Sequence, residues 1–308
     1  MHIQWYPGHM HKASKEIREA LPKVDLIIEI LDARIPFSSE NPALASLRGN
    51  KPCIKILSKT DLADAGMTAL WQTWLEQEQG IKTLGITTEN PEKIRQIPDL
   101  CRKIIPERKN SINKLNVMIM GIPNVGKSTL INILTDKNIA KTGNEPAITK
   151  AQQRIKLDNN LILLDTPGVL WPKIENPDSS LRLAATGAIK DTAMDYTDVA
   201  FFTGNYLLHA YPELLKERYH LESLPTTELA LLEEIGKNRG CLGSGGHIEL
   251  DKVSKILINE FRTGMIGQIS LETPEMIERE LGELMTAQTL KAERKAARKR
   301  KWRDSQKK

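Results

Sequence analysis

Gly121-Ile122-Pro123-Asn124-Val125-Gly126-Lys127-Ser128 matches the phosphate-binding pattern G-x-x-x-x-G-K-[ST] at every fixed position. Glycines at its two ends let the backbone wrap closely around phosphate oxygens. The N–H groups from Asn124, Val125 and Gly126 through Thr129 then face negative charge at a helix N-terminus. Lys127 would reach the β- and γ-phosphates, and Ser128 would ligate Mg²⁺. A second motif, Asp165-Thr166-Pro167-Gly168, lies 37 residues after Ser128. A carboxylate there can hold the metal shell, and the Gly168 N–H can sense a γ-phosphate. Thr166 after Asp165 disfavours the many ATPases that carry a D-E pair. The third motif, Ser58-Lys59-Thr60-Asp61, selects the base. In an N-K-x-D-like loop the Asp accepts from guanine N1–H and the 2-amino group while the Lys stem packs along the ring. Adenine has no such donor pair, so the Asp61 carboxylate would face it unpaired. Thr87-Thr88 takes the place of the second base-side loop.

Short apolar runs lead into each motif. Residues 24–31, 53–57, 82–87, 115–120 and 161–164 are rich in Ile, Leu and Val and end at Asp, Ser, Thr or Gly, as strands buried on both faces do. Residues 153–157 read as an added edge strand. Helical patterns at 12–21, 41–48, 68–77 and 91–105 alternate with the strands, which predicts a doubly wound α/β domain. The base-reading loop precedes the phosphate loop by about sixty residues, the reverse of the usual order. The fold expected is therefore a circularly permuted P-loop GTPase domain over 1–178. Beyond it, helical periodicity dominates 179–286. Val253, Ile256, Leu257 and Phe261 share one face, and Gly264 ends that pattern. Thr273 and Pro274 open a last helix with the stripe Ile277, Leu281, Leu284 and Met285.

Residues 287–308 hold ten Lys/Arg against Glu293 and Asp304, a net charge of +8. The whole chain of 308 residues is only +5, with 44 basic and 39 acidic side chains, so residues 1–286 carry a slight negative excess. Such a tail binds nucleic acid or an anionic surface, or is simply a solvated end. It lacks an apolar face for membrane insertion, with Leu290 and Trp302 its large apolar residues. No apolar run approaches the ~18 residues of a membrane span, and the N-terminal residues carry no secretory pattern. Three scattered cysteines, Cys53, Cys101 and Cys241, fit a reducing cytoplasm and show no metal-ligand spacing. Gly243-Ser244-Gly245-Gly246 lacks the third glycine and the preceding strand of a dinucleotide site and reads as a turn.

The chain resembles the circularly permuted GTPases of the YlqF/YawG class. The resemblance rests on Trp5-Tyr6-Pro7-Gly8-His9-Met10, Asp32-Ala33-Arg34-Ile35-Pro36, the phosphate loop, Pro146-Ala147-Ile148-Thr149, Asp165 through Pro172, and Arg239-Gly240-Cys241-Leu242. The chain departs from the family at Ser58, where Asn is usual, and at Ala147, where Gly is usual. The resemblance implies a GTP-hydrolysing factor in assembly of the large ribosomal subunit. It would bind ribosomal RNA in its GTP form, leave on hydrolysis and use Mg²⁺. Apart from the resemblance, a monomer is expected. Thr149 would join Ser128 and Asp165 in the Mg²⁺ shell. Asn124 is either the amide of K⁺-using GTPases or a loop cap. Val169 occupies the position where many GTPases carry a water-orienting glutamine. His9 is the candidate for that role; alternatively Trp5, Tyr6 and His9 pack or stack on RNA. Two rival functions remain on the sequence alone: an ATP-using enzyme, and a GTPase regulating a protein or membrane partner.

Overall fold

The computed structural model describes residues 3–106, 114–137, 139–140, 152–158 and 160–305. Six strands form one sheet: β1 (Leu26–Asp32), β2 (Cys53–Ser58), β3 (Ile81–Gly85), β4 (Leu115–Gly121), β5 (Gln153–Lys156) and β6 (Leu161–Asp165). Their order is β3-β2-β1-β4-β6-β5. Every neighbouring pair is parallel except β5 against β6, which is antiparallel. β1 and β2 are buried along their whole length, as their continuous apolar runs require. β5 is an edge strand in which only Ile155 is buried.

Around the sheet lie α1 (Gly8–Ala20), α2 (Pro36–Ser39), α3 (Pro42–Arg48), α4 (Ala65–Leu75), α5 (Pro91–Arg95), α6 (Ile97–Ile104) and α7 (Lys127–Thr135). The helix expected over 91–105 is two helices. Pro98 cannot donate to a preceding turn, and α6 accommodates it in its own first turn. After β6 come α8 (Pro177–Ala185), α9 (Tyr196–Ala210), α10 (Pro212–Tyr219), α11 (Glu228–Asn238), α12 (Leu250–Arg262) and α13 (Pro274–Ser305). Side chains cap several of them: Asn41 accepts from the Ala43 N–H, Asp64 from Met67, Asn176 from Asp178 and Thr273 from Met276. The 243–246 glycine cluster is a turn, with Gly245 and Gly246 at positive φ and the Gly243 N–H donating to the His247 carbonyl.

One continuous core joins the sheet to α8, α9, α11 and α12. A second cluster under α4 gathers Leu31, Leu57, Ala63, Trp71, Leu75 and Ile277, so the root of α13 sits on the first half of the chain. Trp71 Nε1 donates to the Glu272 carbonyl and Trp74 Nε1 to Glu278, both at 3.1 Å. α13 continues unbroken past residue 286, and 287–305 are its outer turns. Its expected apolar stripe shortens: Ile277 is buried, Leu281 and Leu284 are half-buried, and Met285 is exposed. No helix among the described residues is long and apolar enough to cross a membrane.

Candidate active site

Parallel strands bring their C-terminal ends to one edge, so the loops after β1, β2, β3, β4 and β6 gather there. From β1 the chain moves outward to β2 and β3, then returns to place β4 on the other side of β1. That reversal opens a crevice between β1 and β4, the place where open α/β sheets bind ligands.

The phosphate loop fills it. Gly121 ends β4 where a Cβ would stand 2.9 Å from both the Ile30 carbonyl oxygen and Val125 Cγ1, so only glycine fits. Gly126 adopts φ 94° and turns the chain into α7, whose first residue is Lys127. Asn124 is left-handed at φ 58°, and its Nδ2 donates to the Gly187 carbonyl at 2.8 Å, tying the loop to the turn after α8. Lys127 and Asp165 are ion-paired through Nζ and Oδ1, and both are buried. Burial pulls the Lys127 ammonium down and pushes the Asp165 carboxyl up, while each partner's charge opposes the shift. Asp165 Oδ2 is buried with no hydrogen-bond partner. An unpaired, buried carboxylate oxygen fits a cation ligand, and the Ser128 hydroxyl follows at the first turn of α7. Among the described residues no cluster of three or more His, Cys, Asp or Glu could hold a metal.

The Asp165–Gly168 loop lies tight against the phosphate loop. Thr166 Oγ1 donates to the Ile119 carbonyl at 2.9 Å, and the Val169 N–H donates to the Gly121 carbonyl at 3.1 Å. Val169 is 2% exposed, so its side chain is in the core and presents nothing to solvent.

The third loop joins the same centre. Ser58 Oγ lies 2.9 Å from the Leu31 carbonyl oxygen and 2.7 Å from that of Val125, with one proton to give to either. Serine at the usual asparagine position thus ties the S-K-T-D loop to the phosphate loop. Lys59 is left-handed at φ 57°, and its Nζ donates to Asp32 Oδ2 at 2.7 Å. Thr60 N–H bonds the Ile86 carbonyl at 3.1 Å, which sets Thr87 and Thr88 beside this loop. Thr87 Oγ1 accepts from Glu89 N–H and closes its own turn. Asp61 is half-buried, and its carbonyl accepts from Gln268 Nε2 at 3.2 Å; the Leu62 carbonyl accepts from Ile269 N–H at 3.0 Å. The C-terminal segment therefore braces the S-K-T-D loop. Sequence reasoning assigned no role to Asp32, Gln268 or Ile269; the signal for Asp32 was its place at the tip of a strand, in Asp32-Ala33-Arg34.

His9 is exposed in the first turn of α1 and makes no hydrogen bond to either nucleotide loop among the described residues. Thr149 lies outside the described residues.

A phosphate loop could serve many nucleotide enzymes; the Lys59–Asp61 loop bonded to it, with a D-x-x-G carboxylate on its lysine, makes this the fold and site of a P-loop GTPase. Comparison with known proteins agrees. Residues 116–217 match a family profile described as a 50S ribosome-binding GTPase. Ribosome biogenesis GTPase A of Bacillus licheniformis is 47% identical over 282 residues, covering 89% of this chain and 99% of that protein. The Thermotoga maritima protein of the same name is 30% identical, covering 89% and 96%. A GDP-bound structure of TM YlqF superposes with a TM-score of 0.61 at 25% identity, covering 84% of this chain and 99% of that one. GNP-bound YlqF from T. maritima gives 0.60 at 26%, covering 86% and 99%. The chain belongs to the ribosome biogenesis GTPase A family.

Proposed function

We propose that this chain hydrolyses GTP to GDP and phosphate as an assembly factor for the large ribosomal subunit, binding ribosomal RNA in its GTP form and leaving on hydrolysis. The observation that carries the nucleotide reading is the approach of loops 67 residues apart, Ser58 Oγ lying 2.7 Å from the Val125 carbonyl oxygen. That approach supports reading residues 58–61 as the base loop, since one nucleotide must meet both loops at once. In this reading Asp61 accepts from the guanine edge, and Lys59 covers one face of the ring. The phosphates lie on the N–H groups from Asn124 to Thr129, and Lys127 turns from Asp165 to the β- and γ-phosphates. Ser128, Thr149 and Asp165 would hold Mg²⁺, which supplies charge neutralisation for the β- and γ-phosphate oxygens. The Gly168 N–H meets the γ-phosphate. With Val169 in the core, His9 is the side chain assigned to orient water, and its exposure in a first helical turn leaves it accessible. The engagement of Asn124 Nδ2 by Gly187 supports the loop-capping role for this amide; a K⁺ ligand role would show as faster turnover in K⁺ than in Na⁺.

The loop order supports a circular permutation of the GTPase fold. We place the GTPase part at 1–178 and the helical, RNA-binding part at 179–286, followed by the basic turns of α13. The ribosomal assignment is supported by the names of the relatives and by the charge of 287–308, which suits phosphate. The protein would work as a cytoplasmic monomer. Two measurements test the reading. ATP displacing a labelled guanine nucleotide as well as GTP does would remove the nucleotide assignment. Co-sedimentation with anionic liposomes and not with ribosomal subunits would replace RNA by a membrane.

A further inference from the structure

We propose that Asp32 is the positioning residue of guanine recognition, acting through Lys59. This rests on the reading of residues 58–61 as the base loop. Asp32 ends β1 directly opposite Ser58 in the parallel register with β2, so its side chain stands beside the loop that Ser58 begins. It is 2% exposed, and both oxygens are in use. Oδ1 accepts from Arg34 N–H at 3.1 Å and Arg34 Nε at 2.9 Å; Oδ2 accepts from Arg34 Nη2 at 2.8 Å and Lys59 Nζ at 2.7 Å. Burial alone would push this carboxyl up, but the Arg34 and Lys59 charges outweigh it and hold it well below the usual carboxylate range.

Each end of this arrangement is fixed by something else. Lys59 holds a left-handed backbone that a residue with a Cβ seldom adopts, so its loop needs an external tie, and the ammonium at the far end of its stem supplies one. A lysine stem has four rotatable bonds; with its head held, the methylenes are ordered before the base arrives, and less entropy is lost on binding. Asp32 is itself held through Arg34. Arg34 Nη1 donates to the Arg262 carbonyl at 3.3 Å, its guanidinium carbon lies 5.2 Å from the Phe261 ring centroid, and its carbonyl accepts from Leu271 N–H at 2.8 Å. The carboxylate is thus clamped by the end of α12 and the segment after it, and passes that order to Lys59.

A double-mutant cycle separates positioning from general support. Affinity for a fluorescent GDP and steady-state GTP turnover are measured for wild type, Asp32→Asn, Lys59→Met and the double variant, with melting temperatures alongside. Asp32→Asn is expected to weaken GDP and a GTP analogue by the same factor, on the order of tenfold, and to raise KM similarly while changing kcat by no more than about threefold. In the Lys59→Met background the Asp32→Asn change should cost no further affinity. A folded Asp32→Asn that binds GDP like wild type, or losses that multiply in the double variant, would overturn the proposal. If Asp32→Asn does not fold, Asp32→Glu carries the same cycle, since it keeps the charge and shifts the oxygens away from Lys59. Failure of Asp61→Asn to favour xanthine would remove the underlying base reading instead, so the two failures are distinguishable.

Discussion

Gly168→Ala offers a direct probe of the γ-phosphate contact proposed for the Gly168 N–H. A Cβ built on Gly168 would lie 3.0 Å from Pro123 Cα, 3.1 Å from Pro123 N and 3.3 Å from Ile122 C. All three are backbone atoms of the phosphate loop, so no side-chain rotation relieves the contact. The Asp165–Gly168 loop cannot slide either, because Thr166 Oγ1 and Val169 N–H are bonded to β4 on both sides. The two loops must then separate by a few tenths of an ångström. Overpacking of this kind costs about 1–3 kcal/mol, and the Gly168 N–H bears the displacement. A GTP analogue should therefore bind about 5- to 150-fold more weakly, the same energies expressed as affinity. GDP has no γ-phosphate and should lose less. Titration of fluorescent GDP and a non-hydrolysable GTP analogue against wild type and variant measures both losses. Equal losses for the two nucleotides, in a variant with a lowered melting temperature, would show that Gly168 supports the fold and does not sense the phosphate.

Asp61→Asn should shift preference from guanine to xanthine, since an amide donates where guanine N2–H needs an acceptor and xanthine offers a carbonyl there; paired titrations of the two nucleotides check it. Glu29, buried on β1 with Glu40 nearby, has its carboxyl pushed up from 4.5 to about 8 by burial first and the Glu40 charge second. A raised carboxyl binds its proton more tightly in the folded state, so its contribution is complete below about pH 4.5 and is lost as pH rises through about 8. Glu29→Gln should accordingly flatten the fall in urea midpoint between pH 5.5 and 8.5, and an unchanged slope would assign that fall to other groups. Removing residues 290–308 spares the bond from Gln288 Nε2 to Glu175 and should weaken binding to ribosomal subunits with a shallower salt dependence, each lost phosphate contact reducing the slope by about 0.7–0.9.

The three loops that gather at the candidate site could be read from sequence because each is local. Each motif is a contiguous run at the tip of a short apolar strand, and all six strands fall within two residues of where hydrophobicity places them. The Asp32–Lys59–Arg34 cluster was not legible, since the pairing of β1 with β2 brings together residues 27 apart that no spacing rule connects. Gln268 and Ile269 were hidden for the same reason, at more than two hundred residues from their partners. The continuity of α13 was masked by composition. A run of Lys and Arg suggests a solvated arm, yet from Glu283 to Ser305 there is no glycine or proline, and Ala, Glu, Lys and Arg are all good helix formers. The helix over 91–105 failed in the opposite sense, because the apolar pattern persists across a proline that the backbone cannot ignore.

The bond from Gln268 to the Asp61 carbonyl spans 207 residues of chain, and that has a consequence in time. On the ribosome the chain is made at about 5–20 residues per second. The S-K-T-D loop is therefore made roughly 10–40 s before the residues that brace it, and before the phosphate loop and Asp165. Until Gln268 and Ile269 are synthesised, the carbonyls of Asp61 and Leu62 lack the partners they have in the finished fold. The finished form of the S-K-T-D loop, proposed above to read guanine, thus waits for the segment that leads into α13. The brace on this loop and the first turns of the helix that carries the basic residues are therefore made within a few residues of each other.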